Sequence, residues 1–147
     1  MTAVLARGQA TRIPPRRFRC IITHASLWAL ENFHGTTDLG LFWEREFGDP
    51  YADASRYREH SPNRAIGDVR TPMLVIHGER DLRVPISEGL ILWTDLVRHG
   101  IDARFLYYPD ENHWILKPQN SRLWYETVLR FLDEHLRDRP FERPELL

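Results

Sequence analysis

Three apolar runs separated by helix-patterned segments constrain this fold more than any other feature: Phe18 to Ala25, Met73-Leu74-Val75-Ile76-His77, and Ala103 to Tyr108. Short runs of this kind, bounded by turn residues, read as strands, and continuous apolar ones as strands covered on both faces. Thr71-Pro72 marks the entry to the second run, because proline is tolerated at a strand's start and not within it. Between the second and third runs the pattern predicts a helix from about Ser87 to Arg98. Ser87 is its N-cap candidate, Leu90, Ile91, Leu96 and Val97 are its apolar positions with Trp93 offset, and Gly100 is its stop. A last helix, about Ser121 to Leu136, sets Leu123, Trp124, Val128, Phe131, Leu132 and His135 or Leu136 at three-and-four spacing along one face. Strand, helix, strand, helix with short links implies parallel strands joined by right-handed crossovers. The predicted class is α/β, with three parallel strands and flanking helices.

The remaining segments are irregular. Ser26 to Asn63 is rich in aromatics, with helical turns around Leu27–Asn32 and Leu41–Phe47, and reads as short helices and loops over one end of the sheet. Met1 to Gly8 resembles the last turns of a helix stopped by glycine. Thr11 to Arg17 cannot continue it, because Pro14-Pro15 removes donors and forces extended backbone. The chain therefore divides into a helix-and-connector segment over residues 1–17, a folded body over 18–138 and a loose tail over 139–147.

Composition narrows the partners. A hydrophobic content of 42% and a charged content of 28% suit one globular core, and a net charge of −1 provides no field for nucleic acid or an anionic membrane. No apolar run is long enough to span a bilayer, and Cys20, the single cysteine, rules out an internal disulfide. The expectation is a cytoplasmic chain that binds neither nucleic acid nor membrane.

In an open parallel sheet, ligands bind beyond the carboxyl ends of the strands. Asp81 follows the second run by four residues and His113 the third by five, so neighbouring strands deliver both to one rim. A carboxylate beside an imidazole fixes its tautomer and stabilises the imidazolium formed when it takes a proton from a serine. From pattern alone the pair has a second reading, with Asp81 starting a turn and His113 in an ordinary loop. The serine of such an enzyme sits in a Gly-x-Ser-x-Gly elbow, and no two glycines of these 147 residues are four apart. Ser26 lacks flanking glycines, so a core or capping role is expected. Ser61, Ser87 and Ser121 read as a turn or helix N-caps. His77, before Gly78, reads as a hydrogen-bonded structural residue. No histidine pair has metal-ligand spacing, so neither metal nor cofactor is expected.

The motifs Ser61-Pro62, Thr71-Pro72-Met73-Leu74-Val75-Ile76-His77-Gly78-Glu79-Arg80-Asp81-Leu82-Arg83-Val84-Pro85, Tyr108-Pro109-Asp110-Glu111-Asn112-His113 and Trp124-Tyr125 together resemble the C-terminal part of the catalytic domain in the prolyl oligopeptidase family of serine peptidases. The style is that of the acylaminoacyl-peptidase and dipeptidyl-peptidase branch. Phe18 to Pro50 extends the resemblance through His24-Ala25, Gly35-Thr36-Thr37 and Trp43-Glu44-Arg45-Glu46-Phe47-Gly48, whereas Gln9 to Arg16 departs from the family's usual link.

The resemblance implies a partial α/β-hydrolase fold holding the sixth to eighth strands, with Asp81 and His113 as triad acid and base. It also implies a nucleophile and oxyanion donors lying ahead of this chain, and Trp43, Arg45 and Phe47 as substrate-side residues. The expected function is that of a C-terminal part of a serine exopeptidase, cleaving short peptides only when the nucleophile half is supplied. A non-catalytic binding module and another α/β hydrolase such as an esterase are the competing readings. An uncovered first strand adds an expectation of self-association through its edge.

Overall fold

The computed structural model describes residues 18–147. The helix and connector expected before Phe18 lie outside the described residues. In chain order come β1 (Ile21–His24), α1 (Leu30–His34), α2 (Gly40–Phe47), α3 (Ser55–His60), a 3-10 turn (Pro62–Asp68), β2 (Met73–Gly78), α4 (Ile86–Arg98), β3 (Ala103–Tyr108) and α5 (Pro118–Arg137). The strands form one sheet in the order β1-β2-β3, and both pairs are parallel, with Ile21 opposite Met73 and Met73 opposite Ala103.

The period of two along each strand assigns its side chains to two layers. Leu74, Ile76, Leu106 and Tyr108 face α5, where Leu123, Val128 and Phe131 close over them. Met73 and Val75 face α4, packing with Leu92, Leu96, Trp28 and Ile101. Every residue of β2 is buried, as the continuous apolar run predicts. The first strand is shorter than the run that foretells it. Ladder bonding starts at Ile21, whose N–H reaches Pro72 O at 2.9 Å, because β2 begins only after that proline. Among the described residues no helix is long and apolar enough to cross a membrane.

Three expectations change. The buried face of α4 carries Glu88, Gly89, Leu92 and Leu96, while Leu90 and Val97 are exposed. Glu88, Leu92 and Leu96 are spaced by four and lie on one stripe, which the apolar count overlooked because its first member is charged. Ser87 does not cap that helix: Pro85 holds the N-cap position and the Ser87 hydroxyl accepts a hydrogen bond from Asn32. Ser121 also lies inside its helix rather than at the N-cap, and its hydroxyl donates to Ile115 O. Beyond α5 the chain makes contacts with the body. Phe141 packs on the α5 cluster under the Arg104 guanidinium, 4.1 Å from its ring centre, and Arg130 donates to Glu142 O. An aromatic ring beside a half-buried arginine has reason to stay, through burial and cation–π attraction.

The loop leaving β1 is tied to α4 by one side chain. Oε2 of the buried Glu88 accepts the N–H groups of Trp28 and Ala29, each at 2.7 Å, and Oε1 accepts from Asn32 at 3.0 Å. Ser61 Oγ accepts the next amide, Leu30 N–H, at 2.7 Å, so the serine caps α1 from another segment. Burial raises the Glu88 pKa, against the pull of Asn32 and the two amides. Glu88→Leu should therefore destabilise the fold by about 2–4 kcal/mol, because two buried amides lose their acceptor. Glu88→Gln, which keeps a carbonyl oxygen, should cost less, and urea unfolding of both variants checks the order.

Candidate active site

The rim beyond β2 and β3 is built around one buried carboxylate. Asp81, 2% exposed, sits in the turn after β2, with Oδ1 accepting the N–H groups of Arg83 at 2.9 Å and Val84 at 2.8 Å. This local ring is the usual behaviour of an aspartate at the head of a turn. The other oxygen, Oδ2, lies 2.9 Å from Nδ1 of His113 in the loop after β3. A carboxylate oxygen can only accept, so Nδ1 carries a proton, and in the neutral ring Nε2 is the nitrogen with the free lone pair. The His113 side chain is 27% exposed, against 0% for Asp81, so the pair has a dry end and a wet end.

Two features bring the loops together. A Cβ on Gly78 would stand 2.4 Å from Asn112 O and 2.6 Å from Glu111 O, so only glycine lets the β3 loop pass this close to the end of β2. Backbone bonds then join the loops, Glu79 N–H to Tyr108 O at 2.8 Å and Arg80 N–H to Glu111 O at 2.9 Å. The Glu111 side chain holds the far end of the His113 loop, accepting from Leu116 N–H at 3.2 Å, Lys117 N–H at 3.0 Å and Asn120 at 2.8 Å. Burial works to raise its pKa, but Asn120 and the two amides outweigh this and leave it below the ordinary carboxylate value. Neither Gly78 nor Glu111 was singled out from sequence. The signal available was an acidic residue two before His113 with amides to serve at the start of a proline-led helix.

On the other side, the segment between α1 and α2 docks on the Asp81 turn. Asp38 N–H donates to Leu82 O at 2.9 Å, Thr37 Oγ1 donates to Arg83 O at 2.7 Å, and Arg83 pairs with the Asp38 carboxylate at 2.8 Å. Beside it lies an open cavity of about 420 Å³, lined by His34, Thr37, Asp38, Phe42 and Glu44 among others.

Of the residues named from sequence, Asp81 and His113 are hydrogen-bonded to each other. Trp43 and Phe47 turn half-buried into an aromatic cluster with Phe33 and Tyr57, and Arg45 is exposed on the same helix. Ser26 is buried with its hydroxyl against Thr23 Oγ1, after Ala25 in a left-handed conformation. His77 is wholly buried and donates to Val84 O, the structural role expected of it. Among the described residues no group of three or more His, Cys, Asp or Glu is placed to hold a metal ion.

The chain has relatives among known proteins. The profile of the prolyl oligopeptidase family matches residues 5–139. The chain belongs to this family of serine peptidases. Dipeptidyl-peptidase 5 of Porphyromonas endodontalis is 39% identical over a 127-residue alignment that covers 83% of this chain and 18% of that protein. Dipeptidyl-peptidase 5 of Aspergillus fumigatus is 37% identical over 123 residues, 82% of this chain and 17% of that protein. The chain thus spans less than a fifth of the length of these curated relatives. Among solved structures, acylaminoacyl peptidase of Pyrococcus horikoshii superposes with a TM-score of 0.80 at 20% identity, over 88% of this chain and 22% of that one. A puromycin-hydrolyzing peptidase of Mycobacterium tuberculosis gives 0.74 at 22% identity, over 86% and 19%. Both place the three strands and their helices within the partial α/β-hydrolase fold implied by the motifs.

His24, at the end of β1 and near Trp124, makes a pH prediction. Burial pulls its pKa down to about 4, from 6.5. As pH falls below 6.5 the unfolded chain takes up this proton before the folded one, so stability present above 6.5 is lost progressively towards 4. Urea unfolding should show a lower midpoint at pH 5 than at pH 7, and His24→Phe should narrow the gap.

Proposed function

We propose that this chain supplies the acid and base of a serine exopeptidase that cleaves short peptides through an acyl-enzyme. In this reading the nucleophile comes from polypeptide outside these 147 residues, and the chain alone is inactive. The observation that carries it is the 2.9 Å hydrogen bond between buried Asp81 and part-exposed His113. Membership of the prolyl oligopeptidase family supports the peptide substrate.

Each atom of the pair has work in such a reaction. With Nδ1–H held by Asp81, the lone pair on His113 Nε2 takes the serine hydroxyl proton as the oxygen attacks the scissile carbonyl. The imidazolium, stabilised by Asp81, returns that proton to the leaving amine, and the peptide bond breaks to give the acyl-enzyme. Water then repeats the sequence, losing its proton to Nε2 and releasing the acid and the free serine. The substrate approaches from the wet end of the pair, and Trp43, Arg45 and Phe47 of α2 are the proposed substrate-side residues. The unshared side of β1, which pairs only with β2 among the described residues, is the proposed edge for self-association. Sedimentation at micromolar concentration should show species larger than a monomer, and a purely monomeric, cooperatively unfolding chain would dispose of that edge contact.

The test of the activity is complementation with the nucleophile-bearing part of a relative, assayed on dipeptidyl and N-acylated peptide amides and on simple esters. Asp81→Asn and His113→Ala should each lower kcat by about 10⁴-fold. Full activity in both variants would sink the assignment, turnover by the chain alone would sink the external nucleophile, and ester cleavage without peptide cleavage would make the enzyme an esterase.

A further inference from the structure

His77 is an ionisable group at the rim that the proposed reaction does not use. It lies in β2, is 0% exposed, and its Nε2 is 2.7 Å from Val84 O. A carbonyl oxygen can only accept, so the proton is on Nε2 and the bare nitrogen is Nδ1. Nδ1 is buried with no hydrogen-bond partner and abuts the backbone of α4 at Gly89, where an added Cβ would stand 2.6 Å from it. No substrate reaches that nitrogen, so His77 is not a second base. The opposite edge of the ring is where the imidazole acts. Val84 is held at both ends of its backbone, N–H to Asp81 Oδ1 at 2.8 Å and C=O to His77 Nε2. The same Nε2 is 3.7 Å from Asp81 Oδ2, the oxygen that receives His113.

We propose that His77 is a positioning residue, a neutral imidazole that clamps the Asp81–Val84 turn so that Asp81 Oδ2 stays aimed at Nδ1 of His113, with Gly89 as the space that admits its ring. This rests on reading Asp81 and His113 as acid and base. The geometry works through three linked contacts. His77 fixes the Val84 carbonyl, the Val84 amide fixes Oδ1, and a carboxylate fixed at Oδ1 has one direction left for Oδ2. A protonated His77 would need an acceptor at Nδ1, and α4 offers none. Burial accordingly lowers its pKa, against the opposing pull of Val84 O and Asp81.

Histidine-labelled nitrogen-15 NMR on the 147-residue chain tests this without any assay of turnover. His77 should read as the Nε2–H tautomer through neutral pH, and the His113 Nδ1 proton should exchange slowly because Asp81 holds it. His77→Phe keeps a ring of similar size but removes the donor, and should speed that exchange about tenfold or more. His77→Gln, whose amide N–H reaches the place of Nε2, should restore most of the protection. If His77→Phe fails to fold, Gly89→Ala carries the same expectation, since alanine suits a helix and keeps every His77 atom yet displaces the ring. Unchanged exchange in His77→Phe, or in Gly89→Ala where the former does not fold, overturns the proposal. Asp81→Asn separates this from the parent reading: if it too leaves the His113 proton unaffected, the acid–base pair itself is wrong. In the complemented enzyme His77→Phe should lower kcat with little change in KM, as loss of orientation does and loss of substrate contact does not.

Discussion

A carboxylate taken out of water costs several kcal/mol unless donors surround it, and the rim of this sheet is organised to surround one. Asp81 receives two amides of its own turn on one oxygen and an imidazole on the other. The amides come from consecutive residues and need only the local turn. The imidazole comes from a different strand, and its arrival depends on Gly78, which leaves room for the β3 loop, and on Glu111, which secures that loop to α5. Remove the close approach at Gly78 and the carboxylate keeps its turn but loses its partner.

The sheet underneath supplies rigidity. Strand β2 is covered on both faces, by α4 and by α5, so the Asp81 turn starts from a strand buried at every residue. Close-packed interiors transmit position, since neighbouring side chains have little free volume to take up a shift. Glu88 extends the same order to the β1 loop and α1, and α1 leads to the segment that docks on Arg83. A third apolar cluster, with Phe33, Tyr57 and Val84 at its centre, joins that layer to the Asp81 turn.

How much of this could be read from residues alone differed by the kind of interaction. The three strands were legible because continuous apolar runs beside proline and glycine have few other uses, and α5 because its apolar face is broad. The buried face of α4 is hard to read from pattern, since the stripe of Glu88, Leu92 and Leu96 begins with a charge. Phe141 is a single aromatic among polar residues, and its meeting with Arg104 becomes visible only when the chain is folded. Glu111 and Glu88 serve backbone amides of distant segments, and which amides need an acceptor becomes visible only when the chain is folded. Asp81 and His113 were legible as candidates through their positions after strands and through family motifs.

Local chemistry was decided by the sequence itself: strand periodicity, proline and glycine stops, and the aspartate-headed turn. Those properties depend on neighbours a few positions away, which the order of residues states outright. Tertiary structure decided the rest. It set Asp81 and His113, 32 positions apart, at 2.9 Å, chose Gly78 and Gly89 as the places where backbone meets neighbour, and placed His77 behind the pair. Hydrogen bonds fail over a fraction of an ångström, and separations of that size are fixed by how strands and helices pack.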